Sequence, residues 1–485
     1  MLNYKKNKMK TIYNLFIILF SLTIVSCEDS VNFEQPGEIP AENTFNSVAD
    51  LQLGLNDVYY GLNTDEAIQI SSFFTDETAL GFENGGQNVE LLQFQLNAVS
   101  EIPTNLWLNN YRTINRVNRI IEAGNLLTVT EEEEAEFNDI LAQLYTIRAA
   151  EYFELLSYFS TDLTDDNALG VMKIDRVPST SEEFPRVSNG EIFDFINSDL
   201  SFAKENLDAT RTNSIYITSY FITALEARMA LYRGDYPLSN TKAQALIDVF
   251  PLASRIEYFE FFQDANRIES IFTGDRNISN GAAISGNFYF SSPGINGGPF
   301  MELGRALFNQ LDPTDIRYNM IVQFQSEIDP SYDTNGGVND ILLIGKYPGS
   351  DGSTVNDYKY FRISEMYLIK AEAQARTDFT TAAQTLKELR DARSLNTTVL
   401  DTYANSEEAL TAVLKERRIE LAFEGHRYLD LKRLSPSGID RDPVDCLPLN
   451  ACTLNTNEFY KYTFPIPQSE IAGNSAISGQ QNPGY

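Results

Sequence analysis

Small residues recur at helical spacing along this chain, and that spacing limits what it can fold into. Ala224, Ala227 and Ala230 punctuate the stretch Ile215–Val249, and a run Glu-Met-Tyr-Leu-Ile-Lys-Ala-Glu-Ala-Gln-Ala-Arg begins at Glu365. Apolar residues three and four apart define one face of a helix, and alanines on that face let a second helix approach closely. Behind each alanine stretch lies a second apolar period: Ala243, Leu246 and Val249 in the first case, Ala382, Leu386 and Leu389 in the second. Between 234 and 236 the Gly-Asp-Tyr turn offers Gly234 as the left-handed residue that ends a helix. From Asp139 to Ser160, the residues Leu141, Leu144, Tyr145, Arg148, Tyr152 and Leu155 mark another amphipathic face. A fourth pair is expected within residues 407–424. The chain is therefore read as a set of packed helix pairs.

Each pair resembles a tetratricopeptide unit, although the copies follow no single interval. The expected fold is mostly α: an interrupted tetratricopeptide-like array with a long loop-and-short-strand region packed on it. Residues 250–358 supply that region, with short aromatic runs and Gly/Ser clusters such as Ser291-Ser292-Pro293-Gly294. Loops carried on a rigid scaffold are where binding groups usually sit.

The first 26 residues have the form of an export signal. Lys5, Lys6, Lys8 and Lys10 precede an apolar run from Tyr13 to Val25, shorter than the roughly 20 residues a membrane-spanning helix needs. The run ends at Ile24-Val25-Ser26-Cys27, which resembles a bacterial lipobox, so Cys27 is the expected lipid anchor. Residues 27–45, with Pro36 and Pro40, read as a tether, and 46–485 as one body. Removing the four lysines moves the formal charge from −31 to −35, which makes nucleic acid a poor partner and leaves neutral ligands open. Cys446 and Cys452, with five residues between them, are open to either a disulfide or two thiols.

Catalytic signatures are sparse. One histidine, His426, makes a multi-histidine metal site or a Ser-His-Asp triad a poor reading, and no Walker loop, nucleophile elbow or dinucleotide fingerprint occurs. No metal or cofactor is expected. The acidic run Glu131–Glu134 reads as a solvated helix start. Glu416, Glu420 and Glu424 fall at i, i+4 and i+8, a repulsive column unless cations interleave, and Arg417 lies on the apolar stripe of Leu410, Val413 and Leu421. A structural ion network of Arg417, Glu420, Glu424 and Arg427, with His426, follows.

These same residues carry a wider resemblance. The run from Glu416 to Arg433 is similar to the signature helix of the SusD/RagB family. Arg362–Ala373 resembles its central helix, Asp312-Pro313-Thr314-Asp315-Ile316-Arg317 its Asp-x-x-Asp-x-Arg element, and Trp107-x3-Tyr111-x2-Ile114-x3-Asn118 its early helix. Phe464-Pro465-Ile466-Pro467 and Gln481-Asn482-Pro483-Gly484-Tyr485 resemble its ending. The resemblance implies a non-catalytic, surface-exposed outer-membrane lipoprotein that hands an oligosaccharide to a SusC-like TonB-dependent barrel transporter. Its signature helices do not say which ligand binds. Thr75-Asp76-Glu77 resembles the family's early Ser-Asp-Glu segment, which lies near the ligand face in its sugar binders, and so implies Asp76. A sugar ring offers a C–H face for aromatic stacking and hydroxyls for polar groups, which points to Trp107 with Asn110 and to Tyr289 and Phe290. Trp107 also reads as a core residue closing its helix pair. A peptide ligand, a tetratricopeptide adaptor without small ligand, and a hydrolase with a carboxylate pair are the competing functions.

Overall fold

The computed structural model describes residues 44–179, 181–279, 283–328, 340–350, 352 and 354–485. The expected signal, Cys27 and nearly all of the tether lie outside them. The architecture below is that of Ser47–Tyr485. Among the described residues, twelve helices have eight residues or more: α1 Val48–Tyr59, α2 Asp65–Phe74, α3 Glu101–Gly124, α4 Glu134–Phe159, α5 Asn189–Asn206, α6 Ser219–Tyr232, α7 Tyr236–Ile247, α8 Arg255–Phe262, α9 Ile363–Thr377, α10 Phe379–Arg393, α11 Ser406–Glu420 and α12 Arg427–Leu434. The fold is mostly helical, as expected. None of these helices is long and apolar enough to cross a membrane.

Helix ends follow local chemistry. Ser188 and Glu191 form a reciprocal capping box at the start of α5, and Ser254 and Glu257 form another at α8. Gly234, at φ +80°, ends α6, and Asp235 then caps α7 by accepting from the Leu238 amide. The alanines are buried as the spacing requires, and α9, α10 and α11 share a core of Leu368, Ala371, Ala375, Ala382, Leu386, Leu389, Ala409 and Val413. Although 115 residues separate their facing ends in sequence, α7 packs directly on α9. The array is thus continuous in space and interrupted only in sequence.

The structure corrects two expectations about the array. Helix α4 is not amphipathic in place: it packs between α3 and α5, and nearly all of it from Asp139 onward is buried. The supposed pair within 407–424 is one helix, α11, which stops at Glu420. Phe423 and Gly425 then adopt left-handed backbone (φ 62° and 87°) in a tight turn into α12. A side chain on Gly425 would meet the Ala67 methyl at 2.8 Å, so glycine is required where this turn presses on α2.

Residues 250–358 are largely irregular, with α8 as the one helix of eight residues or more among those described. Their edges are stitched to the body by antiparallel pairs. Strand β1 (Thr78–Leu80) pairs with β5 (Met301–Leu303), Thr78 opposite Leu303, and β4 (Ser270–Gly274) pairs with β6 (Tyr358–Arg362). A third pair joins β2 (Leu169–Met172) to β3 (Arg186–Ser188). Cys446 and Cys452, open in the sequence reading, are joined by a disulfide.

Candidate functional site

A cleft of about 680 Å³ opens where the α1–α2 loop, the polar face of α3 and the irregular region meet. Its loop wall is built locally. Asn63 accepts from the Asp65 amide (3.0 Å) and donates to the Gly61 carbonyl (3.0 Å), closing the turn between α1 and α2. Gly61 lies flat on α3, where a Cβ would come within 2.3 Å of the Thr113 hydroxyl. Arg276, just past β4, reaches across to the carbonyls of Tyr60 (3.2 Å) and Leu62 (3.1 Å), with its guanidinium 4.9 Å from the Tyr60 ring centroid. Tyr60 is left 46% exposed at the cleft.

Polar groups dominate the remaining wall. Asp65 accepts from Asn287 (2.8 Å) and Gln69 (2.9 Å), and Gln69 also donates to Asn287 (3.1 Å). Asn109 donates to Glu66 (2.6 Å) and accepts from Arg112 (2.7 Å), while Arg116 stands 3.3 Å from Asp57. Burial pushes the Asp65 carboxyl above its ordinary range against these hydrogen bonds, and burial followed by Asp65 itself does the same to Glu66. A second cleft of about 460 Å³, lined among others by Gln69, Phe73, Glu101 and Phe300, shares Gly286 and Asn287 with the first. Carboxylates, carboxamides, guanidiniums and a tyrosine face on one open wall suit a polyhydroxylated ligand, whose ring stacks while its hydroxyls donate and accept.

The residues chosen from sequence mostly lie elsewhere. Trp107 has no exposed surface; its indole N–H donates to Glu470 (3.0 Å) and its ring packs on Phe159 and Tyr111. It is the core residue of the alternative reading, since an amphipathic helix buries the face carrying Leu106, Trp107, Asn110 and Ile114. Asn110 is buried and donates to Glu154 (3.0 Å). Tyr289 is buried, its hydroxyl donating to the Ile344 carbonyl (2.7 Å). Phe290 is 56% exposed and packs beside Phe300, a wall residue of the second cleft, but lines neither cleft itself. Asp76 is buried between Arg427 (2.8 Å) and Arg418 (3.2 Å); burial raises its carboxyl, but the two guanidiniums outweigh that and hold it at about 2. Helix α3 turns Trp107 and Asn110 inward, and its polar side carries Arg112 and Arg116, one turn apart, to the cleft.

The charged helix ending forms a dense ion network with different pairings from those expected. Glu424 lies beyond the end of α11, so the three acids do not stack in one column. Glu416 takes Arg317 (2.6 Å) and Arg390 (2.5 Å), Glu420 takes Arg317, Arg362 and Arg393, and Glu424 takes Arg362 (2.7 Å) and Lys346 (2.5 Å). Arg417 turns instead to Asp430 (2.8 Å), Arg427 to Asp76, and Arg433 to Glu372 (3.0 Å) and Asp430. His426 is buried beside them, and burial pushes it down to about 4, so it is neutral at pH 7.

Residues 317–485 match the model of the SusD family, and residues 36–231 match a second model described as starch-binding associating with outer membrane. A SusD-like protein of Formosa agariphila is 26% identical across 98% of this chain and 99% of its own. The chain belongs to the SusD/RagB family. A second SusD-like protein of Formosa agariphila is 24% identical over 91% of this chain and 94% of that one. The fold is shared with a SusD superfamily protein of Bacteroides vulgatus (TM-score 0.75, 22% identity, 91% of this chain and 100% of that one). It is shared too with surface glycan-binding protein A of Bacteroides thetaiotaomicron, solved in complex with laminarihexaose (TM-score 0.69, 18% identity, 90% and 99%). Within this SusD/RagB fold, Arg317, Arg362 and the 416–433 segment, which carried the resemblance, are the ion network itself.

Proposed function

We propose that this protein is a non-catalytic surface lipoprotein, anchored at Cys27 to the outer membrane, that captures an oligosaccharide and passes it to a SusC-like TonB-dependent barrel. The observation that carries the ligand class is the cleft along α3, where Tyr60 stands beside Asn63, Asp65, Glu66, Asn109, Arg112 and Asn287. One aromatic face among convergent donors and acceptors matches what a sugar presents. The family membership, the model described as associating with outer membrane, and the laminarihexaose complex of a fold relative support the same reading. An extended peptide is favoured less, because a peptide adds to a free sheet edge or fills apolar pockets, and this wall is polar.

Isothermal titration of the purified protein against oligosaccharides and short peptides tests the reading. Saturable binding of an oligosaccharide, weakened in Tyr60→Ala, is the expected result. Binding of peptides alone overturns it, and release of reducing ends would replace capture with hydrolysis by the Asp65–Glu66 pair. Anchoring is tested in cells with a fatty-acid probe: label incorporated by the wild type and absent from Cys27→Ala is expected, and equal label in both sinks the anchor.

A further inference from the structure

Three arginines meet at the cleft. In a chain of formal charge −31, helix α3 carries Arg112, Arg116 and Arg119 along one exposed side, and the first two line the cleft with Arg276. Many buried guanidiniums close on carboxylates, as Arg148 does on Asp199 (2.7 Å) and Arg305 on Asp445 (2.5 Å), whereas Arg186 and Arg441 are held by backbone carbonyls inside the fold. Among the described residues neither Arg112 nor Arg276 has a carboxylate partner. The side chain of Arg112 donates to the Asn109 carboxamide, and that of Arg276 donates to the carbonyls of Asp275, Tyr60 and Leu62. Arg276 is 8% exposed, and its Nε is buried with no acceptor. Only Arg116 is paired, at 3.3 Å to Asp57, with both side chains well exposed, a pairing weak enough for a ligand to displace.

Carboxylates and guanidiniums stand together along the cleft. Glu66 and Asp65 lie at the Asn109 end, where carboxamides hold them and Arg112 joins Asn109, and Asp57 meets Arg116 at the other. Asn109 and Arg116 are seven residues apart on one helix, about 10 Å at 1.5 Å per residue, so each end of the wall offers a guanidinium. A neutral sugar needs no cation there. A planar guanidinium fork matches the two oxygens of a carboxylate or sulfate and strengthens the bond by charge.

We propose that the cleft selects oligosaccharides bearing an anionic substituent, a uronate carboxylate or a sulfate ester, seated on Arg112, Arg116 and Arg276. This rests on the reading of the cleft as a glycan site. The acidic remainder of the surface repels long polyanions, so the arginines of the wall, which Asp57, Asp65 and Glu66 accompany, act locally on short, sparsely charged ligands.

Three hexasaccharides serve as probes: a neutral β-glucan, a galacturonate and a sulfated galactan, each titrated at about 0.05 M and about 0.5 M salt. An anionic probe is expected to bind about tenfold tighter than the neutral one at low salt and to lose most of that margin at high salt. The galacturonate and sulfated arms distinguish the two substituents. Arg112→Gln, at an exposed position, should leave the melting temperature unchanged and weaken the anionic probe about fivefold or more. Neutral binding as tight as anionic, or anionic binding indifferent to Arg112→Gln, overturns the selection and leaves the glycan site standing. Binding of none of the three takes down the glycan reading and this inference together.

Discussion

The network around α11 and the cleft along α3 are built from the same residue types and use them in opposite ways. In the network both oxygens of Glu416, Glu420 and Glu424 are taken by guanidiniums or an ammonium, and all three side chains are buried. In the cleft Asp65 and Glu66 are held by carboxamides, and Arg112 and Arg276 by a carboxamide and backbone carbonyls. Removing a charge from water costs several kcal/mol, and only an opposite charge in good geometry offsets it. Charges that have met that need inside the fold are scaffold. Charges held only by neutral dipoles on an open wall keep unspent capacity for a ligand.

The largest effect is expected where the pairing is densest. Glu420→Ala leaves Arg317, Arg362 and Arg393 buried with too little counter-charge and should destabilise by about 3–5 kcal/mol, seen as a melting temperature lowered by several degrees. A melt within a degree of wild type would dissolve the contrast between network and cleft. Trp107→Ala, a truncation on the buried face of α3, should cost about 3–5 kcal/mol through the cavity it leaves. Weakened binding at full stability would return Trp107 to the site.

A pH scan sharpens the comparison through two neighbours. The Asp76 carboxyl is depressed to about 2, so its stabilisation is present above the ordinary value of 3.8 and is lost as pH falls from there through 2. Beside it burial pushes Glu77 up to about 7, and one of its oxygens has no partner. A raised carboxyl acts in the other sense: stability is greatest below 4.5 and is lost as pH rises through 7. Asp76→Asn should therefore flatten the acid limb of the stability profile by about 2 kcal/mol, and Glu77→Gln the limb from 4.5 to 7 by about 3 kcal/mol, in denaturant titrations. Superimposable profiles would mean the arginines do not separate the two acids. The smallest effect belongs to the cleft. Tyr60→Ala should weaken oligosaccharide binding by about 1–2 kcal/mol in titration calorimetry and leave the melting temperature within about a degree. A fall in melting temperature as large as that of Glu420→Ala would make Tyr60 scaffold too.

The helix pairs were legible because a helix repeats every 3.6 residues, so Ala224, Ala227 and Ala230 announce a close-packed face from one short stretch. The charged ending of α11 was legible as a buried network for a related reason: Arg417 falls on the apolar stripe, and a charge there needs a partner. Its partners were not legible. Arg317, Arg362, Arg393 and Lys346 come from segments 27 to 103 residues away from Glu420 and Glu424, and only the closed fold selects Asp430 for Arg417. Trp107 shows the other limit. Stacking chemistry favours a tryptophan, but the helix turned that face inward and presented Asn109, Arg112 and Arg116 to the cleft.

By itself, then, the sequence determined the helical array, the place of its interruption and the need for an ion-paired ending, because each follows from local periodicity and the cost of burying charge. The tertiary structure alone decided the cleft. Tyr60, Glu66, Arg112, Arg276 and Asn287 are spread over more than two hundred residues and share no period. They meet because Gly61 lets a loop lie on α3 and because β4 pairs with β6 to carry the irregular region back onto it. A site assembled by chain return leaves no local mark, since its residues interact only after the long loops between them have closed.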